Sequence, residues 1–239
     1  MHKLRKMVVV FLTLVLAISV ATPSFAARKR RKKVTEEEPA AEEKKTSNKK
    51  VEKEEVEEAE IERDEKILFS FEKDVQDWEI PDWAFEKADH VAEEMQVSKK
   101  YASHGKGSLE VQTDFPGKKW TAAYLEYVEY FDWTDYSEVA VDVYVPEDTP
   151  VGLMAKIIIT VGEDWKWVEM RRPTRLKPGK WVTIRANLMP GSTDWRRVKP
   201  DDEFRMDVRK FGVRAEADKK PVYKGYIYFD NIRLTKLEQ

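Results

Sequence analysis

From Ile67 onward apolar side chains recur at every second position, a period that fits β-strands and little else. Leu109, Val111, Thr113 and Phe115 alternate with polar neighbours, as do Val139, Val141, Val143 and Val145, and then Ile157, Ile159 and Val161. A strand turns successive side chains to opposite faces, so each run lays one face on a core and leaves the other free. Further strands read at 68–71, 91–97, 124–130, 165–170, 181–186, 211–215 and 226–234, parted by turn clusters such as Phe115-Pro116-Gly117 and Pro178-Gly179-Lys180. About ten short strands with no long helical period predict an all-β fold, a two-sheet antiparallel β-sandwich.

Nothing before this region can build a core. Residues 1–26 read as a signal peptide: His2, Lys3, Arg5 and Lys6 open it, an apolar run covers 7–20, and Pro23 precedes the small-residue cleavage pattern Ser24-Phe25-Ala26. That reading predicts a secreted protein, periplasmic or at the cell surface. The basic hexad 28–33, from Arg28 to Lys33, directly follows the cleavage site and resists translocation, so an uncleaved N-terminal membrane anchor is the alternative. Residues 27–66 are mostly Lys, Arg and Glu and form a charged linker, disordered or a single helix. Val51, Val56 and Ile61 are too sparse for a coiled-coil seam. The linker serves as a spacer, and its hexad as a grip for an anionic envelope or membrane surface. The folded domain is 67–239.

Charge is patterned, not skewed. With 43 basic and 45 acidic residues the net charge is −2, and neither that balance nor any motif calls for nucleic acid. The absence of cysteine excludes disulfides and thiol catalysis, so the domain must hold itself by packing or a metal. All eight Trp lie beyond position 77, and those that do not fit a core are free to meet a ligand.

The order of several short motifs resembles a family. Phe71-Glu72 comes first with Trp78 soon after, followed by the run Ser103-His104-Gly105-Lys106-Gly107-Ser108-Leu109 and by Asp132-Trp133-Thr134-Asp135-Tyr136. Leu176-Lys177-Pro178-Gly179-Lys180-Trp181 and Tyr226-Ile227-Tyr228-Phe229-Asp230-Asn231-Ile232 complete the series. It is similar to the jelly-roll carbohydrate-binding modules with a galactose-binding-like fold that accompany secreted glycoside hydrolases. The resemblance implies a jelly-roll sandwich and a structural calcium between first and last strands. Glu72 and Asp230 would be its carboxylates and backbone carbonyls near Lys106 would complete the shell. Without the metal, Glu72 is a surface acid and Asp230 closes an Asx turn.

Sugar binding needs flat apolar faces flanked by polar groups. Trp165 and Trp167 stand two apart on one strand with Glu169 in line, and predict a ledge. Trp120 and Tyr124 flank a strand start, Trp83 follows Pro81, and Trp195 sits in a polar loop beside Arg196 and Arg197. Trp78, Trp133 and Trp181 match core positions of the resembled family. Catalysis finds no support: His90 and His104 are isolated, and pairs such as Glu126 with Glu129 or Glu163 with Asp164 arise by chance among 45 acids. Arg171, Arg172, Arg175 and Arg185, with Arg196 and Arg197, are surface charge, or a cationic patch for an acidic glycan. The expected function is a non-catalytic glycan-binding domain with polysaccharide as partner. The alternative is a structural or protein-binding envelope component on the same fold.

Overall fold

The alternation becomes two packed antiparallel sheets in the computed structural model, which describes residues 63–238. The signal segment, the hexad and the linker up to residue 62 lie outside the described residues. One sheet holds β1 (Glu65–Phe69), β2 (Ala92–Ser98), β3 (Ser108–Phe115), β5 (Tyr136–Tyr144), β9 (Trp181–Asn187) and β11 (Tyr223–Lys236). Its order is β2-β3-β11-β5-β9, with β1 also on β11. The second sheet runs β4-β10-β6-β7, where β4 is Thr121–Tyr127, β6 Met154–Val161, β7 Lys166–Glu169 and β10 Val208–Ala217; the two-residue β8 (Thr174–Arg175) pairs with β6.

β11 is the spine of the first sheet. Its early part pairs with β3, from Tyr223 opposite Phe115 to Phe229 opposite Leu109, and its late part pairs with β1. A register irregularity between Asp230 and Arg233, with Asn231 at φ +50°, separates the two parts. β1 begins earlier than the charge pattern predicts. Glu65 and Lys66, read as linker, pair with Thr235 and Leu234, and the Glu65 carboxylate stands 2.8 Å from the buried Arg233. Charge there serves an ion pair inside the domain, which a charge count cannot distinguish from solvated linker.

The predicted inward positions fill the space between the sheets. Leu109, Val111, Val139, Val141 and Val143 from the first sheet face Ile157, Ile159, Val213 and Ala215 from the second, all buried. Phe211 on β10 lies edge-on to Trp78 at 5.5 Å and to Trp133 at 5.8 Å, so these two Trp are core members as expected. Trp181 is not. It lies half-buried at the start of β9, tilted against Tyr144 at 5.4 Å. Two short helices carry no period long enough to read from sequence: α1 (Asp82–Phe85) and α2 (Asp202–Met206), the latter capped by Asp201, which accepts the Phe204 N–H at 2.8 Å. Phe211→Ala is expected to lower stability by roughly 3–5 kcal/mol, the cost of an aromatic-sized cavity. A denaturant midpoint unchanged by this substitution would contradict the assigned core.

Candidate functional site

The outward face of the second sheet is covered by aromatic rings over an ionic floor. β4 and β7 are the outer strands of its four-strand path, three strand spacings or about 14 Å apart. Even so, the rings of Tyr124 on β4 and Trp167 on β7 meet with centroids 5.1 Å apart. The meeting is possible because Gly212 on β10 has no side chain. A Cβ there would lie 2.6 Å from the Tyr124 hydroxyl oxygen and 2.7 Å from its ring, so Tyr124 lies down across the sheet. Trp83, carried by α1, closes a triangle with Tyr124 at 5.3 Å and Trp167 at 6.1 Å. Trp120 stands just before β4 with the Arg214 guanidinium 5.3 Å from its ring centre. Two adjoining hollows of about 230 and 440 Å³ share Trp83 and Trp167, and together make a trough bounded by Trp120 and Trp165. Trp83, Trp120, Trp165 and Trp167 keep 39–49% of their surface exposed, whereas Tyr124 is buried beneath them.

Beneath the rings every cation has a carboxylate. Arg214 donates to Glu169 at 2.7 Å and to Glu216 at 2.9 Å, Lys156 stands 3.7 and 3.6 Å from the same two acids, and Lys210 donates to Glu126 at 2.6 Å. Arg196 adds a second arm to Glu169 at 2.7 Å. Burial raises the pKa of the Glu169 carboxyl, but the hydrogen bond from Arg196 and the charges of Arg214 and Lys156 outweigh it and hold the group below its ordinary value. Burial, and then the charge of Glu126, push the Tyr124 phenol up, so it remains a neutral hydroxyl. A depressed carboxyl stabilises the fold above its unfolded pKa, and that stability is lost as pH falls through the folded value. Glu169→Gln is therefore expected to cost roughly 1–3 kcal/mol at neutral pH. It should also flatten the fall in melting temperature of the wild type below pH 4.5, the ordinary value for this group. Parallel wild-type and variant pH profiles would contradict this role.

The structure brings five of the six predicted aromatic residues to this trough. Trp165 is not on the strand read at 165–170: it occupies the β6–β7 turn at φ +53°, yet lines the same hollow as Trp167. Trp195 is a correction. It is fully buried, donates its indole N–H to the Asn187 carbonyl at 2.8 Å and meets Phe204 edge-on, so its polar flanks disguise a core residue. Gly212, Lys210 and Arg214 went unread, although the alternation of Lys210, Gly212, Arg214 and Glu216 with apolar Phe211, Val213 and Ala215 marks a polar face. His90 lines the trough wall beside Phe85, and burial lowers its imidazole pKa. Glu126 is bound to Lys210, Glu129 accepts the Tyr130 N–H in a loop, and Glu163 and Asp164 lie in the β6–β7 turn.

Glu72 and Asp230 reach a single loop from opposite ends of the domain. Both oxygens of Glu72 accept the Lys106 N–H, at 3.1 and 3.0 Å, and the carboxylate occupies the space a Cβ at Gly105 would need, where φ is +64°. Asp230, fully buried, accepts the N–H groups of Ser103 at 2.7 Å and His104 at 2.9 Å, and burial raises its pKa against those hydrogen bonds. Asp142, opposite Asp230 in register, accepts the Ser103 hydroxyl and was not singled out from sequence. The carboxylates of Glu72 and Asp230 thus converge on one loop, each accepting backbone N–H groups from it. Among the described residues no cluster of three or more His, Cys, Asp or Glu could hold a metal, so backbone oxygens would have to supply the rest.

A two-sheet antiparallel sandwich with an aromatic trough across one sheet defines the class: a β-sandwich domain of galactose-binding-like fold. A family model described as mannanase, galactose-binding domain-like matches residues 69–231, and the chain belongs to that family. The fold is similar to that of CBM27-1 of Caldicellulosiruptor saccharolyticus, solved in complex with mannohexaose, with 20% identity, a TM-score of 0.52, and 73% of this chain and 98% of that one covered. A module specific for non-crystalline cellulose, CBM28, is similar at 14% identity and a TM-score of 0.51, covering 71% of this chain and 94% of that one. An exo-beta-agarase is similar at 14% identity and a TM-score of 0.51 over 72% of this chain, but over only 25% of its own length. Comparison with curated protein sequences finds no match.

Proposed function

We propose that the chain is an exported, non-catalytic module that seats a neutral polysaccharide of the mannan type along the trough, with Trp83, Trp120 and Trp167 as sugar platforms and Tyr124 as the ring on which two of them rest. The observation that carries this reading is the convergence of Trp83, Tyr124 and Trp167 over Gly212, which spends three large apolar side chains on an open face instead of the core. Pyranose rings present hydrogen-bearing faces that suit such surfaces. The family supports mannan in particular. The paired charges beneath favour a neutral chain, since each cation of the floor is already matched in charge by a carboxylate. In this proposal residues 1–26 direct export and the hexad 28–33 touches an anionic envelope or membrane surface.

Titration calorimetry with mannohexaose is expected to show binding that Trp167→Ala weakens by about tenfold or more, with melting temperature close to wild type because the side chain is exposed. Wild-type protein that binds no neutral glycan, or binds acidic ones better, would overturn the reading and favour a protein-binding envelope component. Calcium at Glu72 and Asp230 is the other part of the proposal, as a scaffold that pins the loop at 103–106. Added calcium is expected to raise the melting temperature, chelator to reverse the rise and Glu72→Gln to abolish it. A melting temperature indifferent to both reagents would remove the metal from the account.

A further inference from the structure

Trp165 stands apart from the triangle of rings, and the way it is held points to a use. Its φ of +53° is a conformation that bulky side chains rarely adopt and that Gly or Asn would accept without cost. The turn itself does not need an indole, and burial does not explain one, since the side chain keeps 49% of its surface exposed. Yet the position is buttressed. The Gly162 N–H donates to the Asp207 carbonyl at 2.9 Å, and the Trp165 N–H donates to Gly162 at 3.1 Å. The Asp207 carboxylate grips Arg209 through two hydrogen bonds of 2.7 and 2.9 Å, and that guanidinium lies 5.7 Å from the centre of the Trp165 ring. The ring is thus fixed from below by charge and turn and left open toward the larger hollow, which it shares with Trp83, Trp167, Thr160 and Lys210.

We propose that Trp165 is an additional sugar platform that lengthens the trough by one subsite beyond Trp167, so that this face prefers longer chains. The proposal rests on the glycan-binding reading above. The polar partners of the subsite are the Thr160 hydroxyl and the Lys210 ammonium, which spends one of its three donors on Glu126 and has two left for sugar hydroxyls. A chain lying on Trp120, Trp83 and Trp167 in the smaller hollow passes into the larger one without leaving aromatic surface, because the two hollows have Trp83 and Trp167 in common.

The test is calorimetric titration of the full chain with manno-oligosaccharides of three to six units. Wild-type affinity is expected to rise through the longest. Trp165→Ala should lower mannohexaose affinity by roughly three- to tenfold and leave mannotriose affinity within about twofold, and Trp165→Phe should restore most of the difference. Trp165→Gly separates binding from folding: it relieves the backbone, so its melting temperature should equal or exceed that of wild type while the long-chain increment is lost. Equal losses on short and long oligosaccharides, or none, would overturn the subsite alone. Wild-type protein that binds none of them would overturn the subsite together with the reading beneath it.

Discussion

The missing side chain at position 212 sets the shape of the aromatic face. With a Cβ there Tyr124 would stand up from the sheet, Trp167 would lose its 5.1 Å contact, and Trp83 would have no platform to lean on. Glycine in a strand interior costs stability, and here the cost coincides with a close approach of the Tyr124 ring to the backbone, one of the reasons strands retain glycine. Tyr124 then serves as filling: buried and neutral, it presses outward the two indoles whose faces stay open.

The floor beneath has a complementary effect. Lys156, Lys210 and Arg214 bring three cations into a face mostly shielded from water, where an unpaired charge would be expensive. Each is matched by Glu126, Glu169 or Glu216, and the resulting lattice ties β4, β6, β7 and β10 together. Such a lattice stiffens the sheet and leaves hydrogen-bond donors, but little net charge, for a ligand. Under the proposed function, binding on this surface is accordingly an affair of ring faces and hydroxyls. Arg171, Arg172 and Arg185 line a separate polar hollow away from the aromatic trough.

Much of this was legible in the sequence, for physical reasons that differ by region. Period two in 109–115, 139–145 and 157–161 predicts buried strands because alternation has one structural meaning, and these residues form the core. The surplus of Trp over core space predicts rings left outside the core, and Trp83, Trp120, Tyr124 and Trp167 line one open trough together. The failures share a cause, which is that local polarity does not report tertiary partners. Trp195 lies among Asp194, Arg196 and Arg197 and reads as exposed, but Phe204 and the Asn187 carbonyl enclose it. Trp165 keeps the right parity for a strand and leaves it at a left-handed turn. Gly212 reads in the sequence only as one position of a polar face, and its role emerges once the strand order brings Tyr124 over it.

Under the proposed function, exposed aromatics of the second sheet, and not those of the core or of the first sheet, meet a neutral glycan. Eight tryptophan indole N–H groups make this contact directly observable by nitrogen-15 NMR of the chain titrated with mannohexaose. The resonances of Trp83, Trp120 and Trp167 are expected to shift with the oligosaccharide, while those of Trp78, Trp133, Trp181 and Trp195 stay in place. A spectrum in which no indole moves, or in which Trp181 moves and the trough residues do not, would contradict it.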